Sequence, residues 1–249
     1  MNFLAKTLAM GTMIAAGLVG VAPAANADTL AFSTDFNSTL ASSISPGTGL
    51  LTGVQGYSGL GPSGNQFGGS FLRSETGNIV TLTLTGLQAH SAISVGFLFA
   101  AIDSLDGTGS FPSGDYFRVT LDGQQIFRES FANATPYQFQ SYVPPAGVEL
   151  ARHVNLGFSG PGSFYTDSAY NLAADPAFMN LAHSASTATF TFQIQGVGIQ
   201  DLNDESWAMD NLRVSVTAVP EPETYAMLMA GLGLLGFMAR RKNQRQQPA

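Results

Sequence analysis

Val80-Thr81-Leu82-Thr83-Leu84-Thr85 and, a few residues later, Ile93-Ser94-Val95-Gly96-Phe97-Leu98-Phe99 carry apolar side chains at every second position. Successive side chains of an extended strand point to opposite faces, so this period places one apolar row on one face. The pattern recurs where Phe117, Val119 and Leu121 alternate with Arg118 and Thr120, and where Phe190, Phe192 and Ile194 alternate with Thr191 and Gln193. It returns once more in Leu212, Val214 and Val216, spaced by Arg213 and Ser215. Each run is rich in β-branched or aromatic residues and is bounded by Gly, Asn, Asp or Pro. Asp122-Gly123, between the runs 115–121 and 124–131, suits a type I′ hairpin turn, which needs positive φ at both central positions. No helical stripe occurs between residues 30 and 218. The reading is an all-β fold, about eight to ten antiparallel strands in two packed sheets, a jelly-roll-like β-sandwich without internal repeats.

Two stretches depart from that period. Residues 42–69 are dense in Gly, Ser and Pro and read as a long connection near a sheet edge. Residues 160–186 contain Phe164, Tyr165, Tyr170 and Phe178 among Asp167, Asn171, Asp175 and His183. A loop that long in a compact domain is usually ordered, and its aromatics are expected to pack over the core rather than to stack on sugars.

The two ends of the chain read as processing signals. Lys6, the apolar run from Leu8 to Val21 and Ala25-Asn26-Ala27 form the charged, apolar and cleavage regions of a signal peptide over residues 1–27, giving a mature chain from Asp28. At the other end Pro220-Glu221-Pro222 closes the domain, because proline lacks a backbone donor and holds its neighbours extended. An uncharged run, 225–239, follows, then Arg240, Arg241 and Lys242, then a short tail at 243–249. A single membrane helix is expected at 225–239. Its fifteen positions cover about 22 Å at about 1.5 Å per residue, short of a hydrocarbon core of about 30 Å unless the basic residues snorkel. The basic cluster sets that helix with its C-terminus, the tail 243–249, in the cytoplasm.

Pro220, Glu221 and Pro222, the Gly231-Leu232-Gly233-Leu234-Leu235-Gly236 segment and the Arg240-Arg241-Lys242 stop together resemble the PEP-CTERM sorting signal of exopolysaccharide-producing Gram-negative bacteria. The resemblance covers about the last thirty residues. It implies signal peptidase and exosortase as processing partners and transient anchoring in the inner membrane with a periplasmic ectodomain. Delivery to the cell surface or extracellular matrix would follow, with exopolysaccharide as a candidate partner.

The ectodomain between the signals, residues 28–219, is one domain's length of chain. Of the 17 acids in the chain, all but Glu221 and Glu223 fall there, against Arg73, Arg118, Arg128, Arg152 and Arg213 and no lysine. A surface near −10 repels phosphate, so nucleic acid is excluded as a partner and hard cations are favoured. The absence of cysteine removes disulfides, thiol catalysis and thiolate-bound zinc.

Acids gather in three places: Asp103 and Asp106 after an apolar run, Asp204 and Glu205 before Trp207, and Asp210 beside Asn211. Carboxylates at strand ends suit calcium, which takes six to eight oxygens in irregular geometry, while the same acids could instead form Asx-turns. Asp103, Asp106, Asp204, Glu205 and Asp210 are therefore the expected ligands of a structural calcium ion. The segments Ile102–Gly107, Gly114–Val119, Leu121–Gly123 and Asp204–Asn211 resemble lectin-like and carbohydrate-binding modules, in which an Asp-Asn pair precedes the final core strand and a Trp lies close before it. Leu105 stands where that pattern has Trp, and Trp207 is read as core.

Catalytic patterns are weak. His90, His153 and His183 lack metalloprotease spacing, and neither a Gly-x-Ser-x-Gly elbow nor a phosphate loop occurs. The expectation is a non-enzymatic, exported surface or matrix protein on a glycan-binding scaffold, with a polysaccharide-active glycosidase or lyase as the alternative.

Overall fold

A computed structural model describes residues 28–108, 114–133, 137–158, 165–219 and 222–244. The expected signal peptide, together with Pro220 and Glu221, lies outside them. Thirteen strands are present among the described residues, all paired antiparallel. They are β1 (Asp28–Thr34), β2 (Ile44–Ser45), β3 (Leu50–Gly53), β4 (Ser70–Glu75), β5 (Val80–Thr85), β6 (His90–Asp103) and β7 (Tyr116–Leu121). After these come β8 (Gln124–Ser130), β9 (Glu149–Val154), β10 (Asp167–Asn171), β11 (Leu181–Ala182), β12 (Thr187–Gln195) and β13 (Glu205–Ala218). One sheet runs β3-β4-β13-β6-β10-β9, with β1 beside β13 and β11 beside β6; the other runs β2-β5-β12-β7-β8.

The two packed sheets meet the expectation of an all-β sandwich. The jelly-roll part is not established by this strand order, in which eight strands face five. The strand number exceeds the expected range because β2, β3 and β11 have only two to four residues, too few to display a period.

Every alternating row named from sequence lies in the core between the sheets. Val80, Leu82 and Leu84 of β5 meet Phe190, Phe192 and Ile194 of β12, Phe117 and Val119 of β7, and Phe97 and Phe99 of β6. The Phe99 and Phe117 rings approach to 4.4 Å between centroids, with Trp207 5.2 Å from Phe117. In β13 the inward row changes parity, from Trp207 and Met209 to Leu212, Val214 and Val216, all buried in the same core. A bulge explains this: register with β6 shifts between Asp210 and Arg213, and Asn211 takes φ +51°. One extra residue turns both halves of the strand to the same face. Below the bulge β13 pairs with β4, and above it with β1.

The first sheet is covered on its outer face as well. Leu98, Ala100, Ile102, Ala169 and Ala208 pack there with Val54, Tyr57, Phe67 and Phe71. Residues 42–69 thus do more than connect, for they wrap the sheet and bury two aromatic rings. Tyr57 Oη donates to the Ala101 carbonyl at 3.1 Å. Burial on both sides accounts for the continuous apolar run from Phe97 to Ile102, since a strand with no wet face has no need of polar alternation. In the other long stretch, Tyr170 and Phe178 are buried in the inner core, as expected, while Phe164 lies outside the described residues.

A helix, α1 (Pro222–Gln244), follows the sandwich. The expectation of a membrane helix at 225–239 is corrected here: no helix among the described residues is long and apolar enough to cross a membrane. The apolar run ends at Arg240 and Arg241 after some four turns, and three glycines dilute its hydropathy. Side chains from 226 to 241 are exposed.

Candidate functional site

β6 and β13 are neighbours over their whole lengths, and their ends coincide where Glu205 faces Asp103. Asp103 closes β6 with φ +59°, so the chain turns away from the sheet. The turn is held against β13 by Ser104, whose backbone N and Oγ both donate to the Asp204 carbonyl, at 3.1 and 2.8 Å. It then meets the start of β7 in the opposite sheet, where Asp106 N donates to Asp115 Oδ2 at 2.6 Å and Asp115 N to the Asp106 carbonyl at 2.9 Å. Three strand ends from two sheets therefore converge at one end of the sandwich.

The convergence brings together Asp106, Asp115 and Glu205, which offer carboxylate oxygens all within 4.8 Å of one another. All three are buried, Glu205 completely. Their side-chain donors are neutral: Gln138 Nε2 to Asp106 Oδ1, and Gln200 Nε2 to Glu205 Oε1 at 3.1 Å. Glu205 Oε2 has no donor outside the three acids, within which the Glu205 and Asp115 carboxyls share a hydrogen bond. Among the described residues the Arg152–Glu149 ion pair and the His183–Asp122 contact lie elsewhere. Burial raises the carboxyl pKa of all three acids, reinforced at Glu205 by the charges of Asp115, Asp106 and Asp204 and at Asp115 by that of Asp106, while the hydrogen bond to Glu205 opposes it at Asp115.

Of the five residues expected to share an ion, the structure joins Asp106 and Glu205. Asp204 stays on the rim, its Oδ1 accepting from Ser104 Oγ at 3.1 Å. Asp103 belongs to a different environment, with Asp167, Tyr57 and the buried guanidinium of Arg73. Asp210 sits five residues along β13, about 16 Å away at about 3.3 Å per residue. There its carboxylate accepts from Gly68 N at 3.1 Å and Asn211 N at 2.7 Å, pinning the wrapped segment to the bulge. Burial pushes its pKa up to about 6.

The reading from sequence missed Asp115. Its signal was present in Gly114-Asp115-Tyr116, a carboxylate at the start of an alternating strand, as Glu205 is at the start of β13. Gln138 and Gln200 carried no comparable signal, because they come from connecting segments.

Gln138 lies in a segment that also presents aromatics. Tyr137 and Phe139, on either side of it, are 86% and 76% exposed. The Phe139 carbonyl accepts from Thr108 N at 2.7 Å and Thr108 Oγ1 at 2.9 Å, so the segment is tied to the chain just beyond Asp106. Gly107 is required for this approach, since a Cβ there would stand 2.3 Å from the Phe139 carbonyl oxygen. The histidines serve another end of the fold: His90 Nε2 lies 2.7 Å from His183 Nδ1, and His183 Nε2 lies 3.1 Å from Asp122 Oδ2. That chain fastens the Asp122-Gly123 hairpin to the start of β6.

Comparisons with known proteins bear on the two parts unequally. Residues 218–242 match the family model of the PEP-CTERM protein-sorting motif. No curated protein sequence matches the chain. Among solved structures, the chain is similar to a family 35 carbohydrate binding module from Clostridium thermocellum, at 11% identity and TM-score 0.31, over 76% of this chain and 97% of that one. It is also similar to a family GH115 4-O-methyl-alpha-glucuronidase with specificity for decorated arabinogalactans, at 11% identity and TM-score 0.32, over 74% of this chain and 18% of that one.

Proposed function

We propose that this chain is an exported surface or matrix protein, sorted by an exosortase through residues 218–242, whose sandwich binds glycan without cleaving it. The sorting motif supports export and processing. The glycan reading rests on Tyr137 and Phe139, two rings exposed on a segment anchored at Thr108. Flat apolar rings held open to water match the faces of sugars, and a negative surface tolerates neutral polysaccharide.

The hydrolytic alternative finds less support. Glycosidases set two carboxyls on either side of an accessible bond, whereas Asp106, Asp115 and Glu205 are packed against one another and buried.

The test is a polysaccharide array probed with the full-length chain and with a Tyr137→Ala, Phe139→Ala double variant. Binding by the wild type, weakened at least tenfold in the variant, is expected. Equal binding by both proteins would rule out this face, and product release from any bound polysaccharide would favour the enzyme.

A further inference from the structure

We infer that Asp106, Asp115 and Glu205 form a binding site for one calcium ion that clamps the ends of β6, β7 and β13 across the two sheets. The inference is independent of glycan binding. Two separate observations carry it.

The first is geometric. Three buried carboxylate oxygens lie within 4.8 Å of one another. An ion held at about 2.3–2.6 Å from each oxygen spans ligands up to about 5 Å apart, so one calcium ion fits the set without rearrangement of the strands. The donors are all hard oxygens, with neither imidazole nor thiolate among them, which favours calcium over zinc or copper.

The second is the orphaned oxygen. Glu205 is completely buried, and while Oε1 takes the Gln200 amide, Oε2 has no donor from outside the three acids. A buried carboxylate oxygen without a partner is costly, and in native proteins it usually marks a bound ion, a water or a shared proton. Two other buried acids are supplied: Asp210 takes two backbone N–H groups, and Asp167 takes Leu156 N and Asp103 N and has the charge of Arg73 nearby. At the convergence of strand ends no arginine is provided. A divalent cation supplies the missing positive charge at the one place among the described residues where the fold brings three acids together.

Gln138 extends the consequence to the surface. Its amide reaches Asp106, so an ion on Asp106 steadies the segment that presents Tyr137 and Phe139.

The measurement is calorimetric titration of the chelator-stripped, detergent-solubilised full-length chain with calcium chloride. One ion per chain is expected, with affinity weakened at least tenfold in Glu205→Gln and in Asp115→Asn. Asp210→Asn, remote from the cluster, should bind as the wild type does. Circular dichroism of each variant checks that it folds. Should Glu205→Gln fail that check, Asp106→Asn takes its place. Absence of calcium binding at ten millimolar would overturn the site and leave the acids sharing protons. Undiminished affinity in folded variants of the cluster would overturn it too.

Discussion

Glu205 and Asp210 stand in one strand, both buried, and are placed on opposite sides of the electrostatic question. Asp210 lies where β13 bulges, and two backbone N–H groups converge on its carboxylate. Glu205 lies where β13 begins and meets two other acids, with a single glutamine amide in compensation. A buried carboxylate surrounded by backbone donors fastens a fold; one surrounded by carboxylates strains it until something positive arrives. Residue type and burial are alike, so what differs is the chain geometry that delivers their neighbours.

The largest effect should come from the residue between them. Trp207→Ala removes a fully buried ring that packs on Phe99 and Phe117, and a loss of about 3–5 kcal/mol is expected from denaturant unfolding. A smaller loss would mean that the two halves of β13 are held independently.

Next, Asp210→Ala strands Gly68 N and Asn211 N, and should cost about 2–3 kcal/mol. Proteolysis in the segment 54–67 should accelerate along with it, because that segment is pinned by Asp210. An unchanged cleavage rate would separate the bulge from the wrapped segment.

Acidity distinguishes the anchors more gently. The carboxyls of Asp210 and Asp167 are each pushed up to about 6 by burial, above their unfolded value of about 3.9. Between those values the folded chain holds protons that the unfolded chain has released, so their contribution to stability rises as pH falls from about 6 to about 4 and is level outside that window. Each contributes a slope of at most about 1.4 kcal/mol per pH unit. Asp210→Asn should remove its share, seen as a flatter profile in urea titrations between pH 4 and 7. An unaltered slope would contradict the assignment.

The smallest effect should also be the most telling. In chelator at about pH 9, where a Glu205 carboxyl pushed up to about 8 by burial is ionised, Glu205→Gln replaces a charge by an amide that can donate to Asp115, and a gain of about 1 kcal/mol in unfolding free energy is expected. In calcium the same substitution should lower the melting temperature relative to wild type. One sign in both conditions would make Glu205 an ordinary anchor like Asp210.

The contrast also marks how far local pattern reaches. Alternation in β5, β7 and β12 was legible because each strand has one dry face, and the sorting motif at 218–242 because its three parts follow one another in order along the chain. The outer core was not legible: Val54, Tyr57 and Phe67 stand among glycines and serines, with spacing that belongs to no element. The membrane helix at 225–239 illustrates the limit from the other side, since a local apolar run predicts a helix well and its crossing of a bilayer poorly.

Sequence alone determined that this chain would form two antiparallel sheets and carry a sorting address, because side-chain period and motif order are properties of neighbouring residues. Tertiary structure decided which acids meet. Asp106 and Asp115 are nine positions apart, Glu205 ninety further on, and they converge only because β6 pairs with β13 while the turn after β6 crosses to β7. Asp103 and Asp210, as prominent in sequence, were sent elsewhere, the one by a positive φ at the end of β6 and the other by the length of extended strand between it and Glu205. Charge acts through space, and distances in space are set by strand pairing rather than by spacing along the chain.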